Sequence, residues 1–208
     1  MNTLYSMQNS GNSYKCRLIS ALTQQDLNVI NVDPKRGDTR SESYLKLNTL
    51  GKAPILITQN NAIISESNAI LFYLAQSTSF WPEDVVLQTK TLSWMFFEQY
   101  DHEPSIAVRQ SALMRGETDE ALLQKLEYKG YRALDRMEEH LKDNSYFGEE
   151  QPSIADIALF AYTHNAHKGG FDLDKYPAIL NWIEAIQSLA HFKSYEWQAA
   201  LHKEFSNS

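Results

Sequence analysis

Two short apolar runs, APILI and NAIIS, flank the polar TQNN and lead without a break into ESNAILFYLAQ. Runs of this length around a polar turn read as a β-hairpin. The segment that follows places Ile70, Leu71 and Leu74 on one helical stripe. This junction constrains the fold most, because two strands and a helix must share one core. The residues upstream supply its neighbours. NTLYSM reads as a short strand with Leu4 as its core residue. Residues 13–25, SYKCRLISALTQQ, set Cys16, Leu18, Ile19 and Leu22 on a helical stripe. LNVINV alternates as a strand does, DPKRGDTRS is a polar loop with Pro34 and Gly37, and ESYLKLN allows one or two helical turns. The expected order is β-α-β-α-β-β-α.

Beyond STSFWPED the strand signals stop. Residues 86–115 and 119–143 read as two long helices. PSIADIALFAYTH opens a third, YPAILNWIEAIQSLA a fourth, and KSYEWQAALHKEF is expected to be a last one. The expected organisation is an α/β domain over residues 1–78, a linker over 79–85 and an all-α domain over 86–208. Ser153, after Pro152, reads as a structural cap with Asp156 reaching back to it.

Bulk properties exclude some function classes. The formal charge is −7, whereas general nucleic-acid binders carry a basic stripe. No apolar run is long enough to cross a membrane, and no basic stretch followed by an apolar core marks a secretory signal. A single cysteine, Cys16, excludes an intramolecular disulfide framework and a cysteine-based zinc site, and it suits the cytosol.

Three stretches can carry chemistry. In GKAPIL, residues 51–56, Pro54 stands immediately before a strand. A cis bond there turns the Ala53 backbone outward, where its N–H and C=O can pair with an extended peptide; the alternative is a trans proline at a strand edge. In SESNAI, residues 65–70, Glu66 and Ser67 stand at a helix start, where free N–H groups and the dipole favour a carboxylate; the alternative is a simple helix cap. In SGNSYKCR, Ser10 lies just before a helix, where a thiol ionises below its free pKa of about 8.5; the alternative is an ordinary turn residue. Peptide backbone, an amino-acid end and a thiolate are the three groups of glutathione.

On LYSMQNSGNSYKCRL, LKLNTLGKAPILI, AIISESNAILFYLA and PSIADIALFAY, in that order and spacing, the chain resembles the cytosolic glutathione transferases, and its opening motif is most similar to bacterial members. The resemblance covers nearly the whole chain. It implies a thioredoxin-like first domain, a helical second domain, glutathione as co-substrate, no metal and a homodimer. Pro54 is then the family's cis-proline, Ala53 pairs with the cysteinyl part, and Glu66 and Ser67 hold the γ-glutamyl end. Lys52 and Arg40 stand near the expected place of the glycyl carboxylate. SGNS occupies the place of the CxxC of thioredoxin-like proteins, so Ser10 matches the family's catalytic serine. Asn12 is the next donor candidate. Tyr5 is either a third or a core residue. Asn48–Thr49 departs from the asparagine-proline often found there, which is expected to loosen the loop before Pro54.

The resemblance also implies a hydrophobic electrophile as second substrate, against the helix of residues 86–115. Trp94, Phe97, Tyr100 and Arg109 are the candidate residues there, and an aromatic stripe at this spacing serves a core equally well. His102 and Glu103 are adjacent and so fall on different helix faces, which argues against a metal pair.

Overall fold

A computed structural model describes residues 1–197 and 203–205. It divides into two compact units, Met1–Gln76 together with Ala190–Ser208, and Ser77–Leu189.

The first unit is built on strands β1 (Asn2–Ser6), β2 (Leu27–Asn31), β3 (Ile55–Ile57), β4 (Ile63–Ser65) and β5 (Lys203–Glu204), with helices α1 (Gly11–Leu22), α2 (Glu42–Leu47) and α3 (Ser67–Ala75). The sheet order is β4-β3-β1-β2-β5. β1 runs parallel to β2 and antiparallel to β3, and β3–β4 is the expected hairpin. Leu4 pairs with Val29 on one side and Leu56 on the other, and all three are buried. Strand side chains alternate between faces, so Tyr5 and Ile55 point the other way, to a cluster with Val32 and Tyr44. The order βαβαββα is as the periodicity predicts.

Two expectations change in this unit. The first helix starts at Gly11, two residues before the expected Ser13. Ser10 is its N-cap, in extended conformation, and its Oγ accepts from Ser13 N at 3.3 Å. Ser13 is instead buried, and its Oγ accepts from Met7 N at 3.0 Å. The second change concerns the chain end, which was expected within a helical domain over 86–208. From Ala190 it packs on the α/β unit: Tyr14 donates to Lys193 O at 2.6 Å, and Phe205 N donates to Asn31 O at 3.1 Å. The helix expected over KSYEWQAALHKEF is absent at both described ends, where 195–196 form a turn and 203–204 join the sheet. Residues 198–202 of that stretch lie outside the described residues.

The second unit contains α4 (Val85–Phe97), α5 (Glu103–Met114), α6 (Glu120–Leu141), α7 (Ile154–Thr163) and α8 (Pro177–Gln187). The expected long helix over 86–115 is interrupted by a π-helical turn, Glu98–His102, which buries both Glu98 and His102. Wider turns of this kind break the 3.6-residue repeat, so a single stripe cannot reveal them. α7 is apolar and buried around most of its circumference, as expected of a core helix. Its start is the expected capping box. The Asp156 carboxylate accepts from the backbone N–H groups of Phe147, Gly148 and Ser153, from the Ser153 hydroxyl, and from the Trp182 ring N–H at 2.9 Å. Glu138 of α6 similarly accepts from Ala178 N and Ile179 N, both at 3.0 Å, and so caps α8. Among the described residues no helix is long and apolar enough to cross a membrane.

Candidate functional site

Sheet register brings the three sequence-flagged stretches to one end of the first unit. Ile55, directly after Pro54, pairs with Tyr5 near the end of β1 and with Ser65 at the end of β4. The turn carrying Ser10 leaves β1 there, and Glu66 leaves β4 there. Residues distant in sequence therefore meet at one end of the sheet because the hairpin folds back on the first strand.

The Ala53–Pro54 peptide is cis. The loop before it is tied down from α2: the Tyr44 hydroxyl and Asn48 Nδ2 each donate to Lys52 O at 3.0 Å, and Asn48 Oδ1 accepts from Leu50 N. The threonine that follows Asn48 does not prevent the asparagine from closing this loop. Gly51 has φ +60, and a Cβ there would stand 2.7 Å from Thr39 O. Glycine is needed at that position on both counts. Arg40 Nη1 reaches Leu50 O at 3.4 Å. Arg40 and Lys52 are both exposed, so two cations border the loop. Asp38 supports the same segment: burial alone would push its carboxyl up, but the Arg36 guanidinium and the Asp33 N–H hold it below the usual range.

Glu66 precedes α3 with φ 68 and ψ 117. This lies outside the small left-handed basin open to L-residues, and such conformations cost about 1–3 kcal/mol and cluster at functional sites. The Glu66 side chain is exposed, while Ser67 is 5% exposed. The Ser67 hydroxyl donates to Asn12 Oδ1 at 3.0 Å. The structure thus joins two predicted site residues that the sequence placed in separate half-sites. With Oδ1 turned to Ser67, the Asn12 amide is fixed in orientation.

Ser10 is partly exposed at the N-terminus of α1. Its oxygen accepts from the helix, which leaves its one proton for donation outward. Tyr5 lies edge-on to the rings of Tyr44 (5.9 Å) and Phe205 (6.1 Å), and burial raises its hydroxyl pKa. It is a packing residue. Cys16 is fully buried, donates to Asn12 O and Ser67 O, and burial pushes its thiol up to about 12. It supplies no nucleophile.

Two residues here escaped the sequence reading. Arg17 is 2% exposed and reaches back under the β1–α1 turn, donating to Ser6 Oγ, Met7 O and Gln8 O. Lys15 is fully buried and donates to Asn68 Oδ1 at 2.9 Å. The signal was present: these cations flank Cys16 inside an otherwise apolar stripe.

The second-substrate candidates, all in the other unit, separate. Phe97 and Tyr100 line a cleft of about 230 Å³ together with Arg132 and Arg136. Trp94 lies outside that lining, packed against Phe97, His140 and Phe147. Arg109 is structural. It donates to Gly169 O at 2.8 Å and Leu123 O at 2.7 Å and pairs with Glu127 at 3.3 Å. An arginine committed to two carbonyls and a carboxylate has little left to offer a substrate.

Known proteins bear on this arrangement. Residues 2–76 match the family described as Glutathione S-transferase, N-terminal domain, and residues 120–185 match Glutathione S-transferase, C-terminal domain. The chain is similar to a solved glutathione S-transferase from Pseudomonas fluorescens, at 42% identity, covering 93% of this chain and 98% of that one with a TM-score of 0.89. It is also similar to the disulfide-bond oxidoreductase YfcG of Escherichia coli, 26% identical over 85% of this chain and 86% of that protein. A structure of Ure2p in complex with glutathione shares the fold at 19% identity and a TM-score of 0.81, over 89% of this chain and 88% of that one.

Proposed function

The chain belongs to the glutathione S-transferase family, and from that premise we propose that it binds glutathione, holds its sulfur as the thiolate at the β1–α1 turn, and adds it to an electrophile. The observation that carries this reading is the convergence of the cis Ala53–Pro54 edge, the N-terminus of α3 and the N-terminus of α1 at one sheet end. In this reading the Ala53 backbone pairs with the cysteinyl residue as an added strand does. Glu66 accepts from the γ-glutamyl ammonium, and the carboxylate meets the first turn of α3. Arg40 and Lys52 face the glycyl carboxylate. Ser10 donates to the sulfur and Asn12 supports it.

Catalysis then consists of positioning and pKa depression. Hydrogen bonds to the charged form and the helix dipole both favour thiolate. A fall of about two units makes most of the thiol ionised at neutral pH, an effect of about 2.7 kcal/mol. The electrophile is hydrophobic. The protein acts as a homodimer.

A second reading, glutathione-dependent disulfide or peroxide reduction, is favoured by the likeness to YfcG. Serines stand at both positions of SGNS and Cys16 is buried, so the thiol chemistry in either case belongs to glutathione. The fold also serves non-catalytic binding, but a module of that kind has little use for a strained Glu66. Retention on immobilised glutathione, followed by turnover on panels of electrophiles, peroxides and mixed disulfides, separates the three. Failure of retention together with no thiolate absorbance on adding glutathione contradicts the proposal.

A further inference from the structure

Two residues of α1 hold the β1–α1 turn from beneath. Ser13 and Arg17 are four apart and share one helix face. Ser13 Oγ accepts from Met7 N at 3.0 Å. Arg17 Nη1 donates to Ser6 Oγ and to Met7 O, the latter at 3.2 Å, and Nη2 donates to Gln8 O at 3.2 Å. Its Nε is buried with no hydrogen-bond partner. The hydrogen bonds of this guanidinium thus go to three consecutive residues leading into one turn. A planar fork suits that task, because its donors point in fixed directions. A buried polar atom left unsatisfied calls for an explanation. Packing alone would be served by an apolar residue without that cost.

The direction of these bonds fixes the turn. Arg17 is 2% exposed, whereas Gln8 and Asn9 are exposed. The Met7 and Gln8 carbonyls therefore point inward, to the guanidinium. In a trans peptide the N–H lies opposite the C=O, and the peptides on either side of Gln8 are not cis. The Gln8 and Asn9 N–H groups accordingly face away from Arg17. Met7 O also accepts from Ser10 N at 3.4 Å. The carbonyl that Arg17 holds is therefore the one that seats the N-cap residue of α1. A carbonyl oxygen swung outward beside Ser10 would present the wrong sign to an anion.

Given the glutathione reading above, we propose that Arg17 is a positioning residue for the bound thiolate: its fork, bonded to Ser6, Met7 and Gln8 at once, keeps the carbonyl oxygens of the turn inward and holds Ser10 in place to donate to the sulfur. Arg17 touches no part of glutathione. The role belongs to the geometry of the fork and not to its charge.

The test uses the full chain and two variants. Arg17→Met removes the donors. Arg17→Lys keeps the charge and loses the fork. The pKa of bound glutathione is read by ultraviolet titration, folding by thermal melting, and affinity by calorimetry for glutathione and for S-methylglutathione, which has no ionisable thiol. Both variants are expected to raise the thiol pKa by about one unit and to weaken glutathione a few-fold near neutral pH. Both should bind S-methylglutathione as the wild type does. If Arg17→Met does not fold, Arg17→Lys decides. A folded variant of either kind with the wild-type thiol pKa overturns the inference, even if its melting temperature falls. Equal losses for the two ligands also overturn it, since they mark a general loosening of the site, and so does failure of both variants to fold, which would leave Arg17 a residue of the fold alone. Wild-type protein that binds no glutathione overturns the functional reading and the inference with it, whereas wild-type binding beside an unchanged variant overturns the inference alone.

Discussion

The Ser67 hydroxyl donates to Asn12 Oδ1 at 3.0 Å, so the first turns of α3 and α1 are joined by one side-chain hydrogen bond. A hydroxyl carries a single proton. It can serve Asn12 or a ligand carboxylate at any moment, and the backbone N–H groups of α3 remain for the other task. The two half-sites are therefore coupled, and Ser67→Ala is expected to raise the pKa of bound glutathione as well as weaken its binding. In a double-mutant cycle with Asn12→Ala, the two effects on thiol pKa should be non-additive, as for groups in direct contact. Strict additivity would contradict the coupling.

Ser10 has two roles that different substitutions can separate. As N-cap it accepts from Ser13 N. Ser10→Ala removes both cap and hydroxyl, so it should cost about 1 kcal/mol of stability and raise the thiol pKa. Ser10→Gly loses the hydroxyl with no side-chain donor in its place and costs the cap only about a few tenths of a kcal/mol. It should melt near the wild-type temperature yet show the raised thiol pKa. An unchanged thiol pKa in both variants would assign the sulfur to Asn12 or to the backbone of the turn.

Glu66 is held at φ 68 and ψ 117, where an L-residue is strained. Glu66→Gly relieves that strain, since glycine populates positive φ readily. The variant is expected to match or exceed wild-type stability while binding glutathione more weakly, because the acceptor for the γ-glutamyl ammonium is gone. Melting and calorimetry on the same sample check this. A loss of stability with unaltered affinity would reverse both assignments.

Cys16 should be silent. Its folded thiol titrates at about 12, raised by burial above the ordinary value near 9.0. At neutral pH it is protonated and enclosed, so a thiol reagent should modify it only after denaturation. The linkage has a definite sign. Above about pH 9 the unfolded chain releases this proton and the folded chain keeps it, so the contribution of Cys16 to stability falls as pH rises from about 9 to about 12. Cys16→Ser or Cys16→Ala should flatten that part of the stability–pH curve, read by denaturant melts across the range.

Asp156 accepts five hydrogen bonds from three separate segments around residues 147, 153 and 182. Asp156→Ala leaves five donors without their acceptor in a core position. A loss of about 3–5 kcal/mol is expected, read as a lower midpoint in chemical denaturation. A loss below about 1 kcal/mol would mean that other groups take over these donors.

The hairpin, the helix after it and the strand–helix–strand before it were legible because each is short, amphipathic and bounded by turn residues. Glu66, Ser67 and Ser10 were legible as helix starts for the same reason. What escaped depends on contacts distant in sequence. Nothing local tells that Ser67 bonds Asn12, or that a positive φ falls on Glu66. β5 is only two residues long and exists by pairing with β2, so no periodicity announces it. The π turn at Glu98–His102 lay hidden in a long helical pattern. Arg109 looked like a substrate contact because its partners, Leu123, Glu127 and Gly169, come from other parts of the second unit. Lys15 and Arg17 were visible as cations in an apolar stripe, and only the fold gives them partners.

The most direct measurement is an ultraviolet titration of glutathione bound to the wild-type chain. The thiol pKa is expected about two units below the free value of about 8.5, partly restored in Ser10→Gly. Bound glutathione that titrates at its free value would contradict the claim that this sheet end stabilises a thiolate.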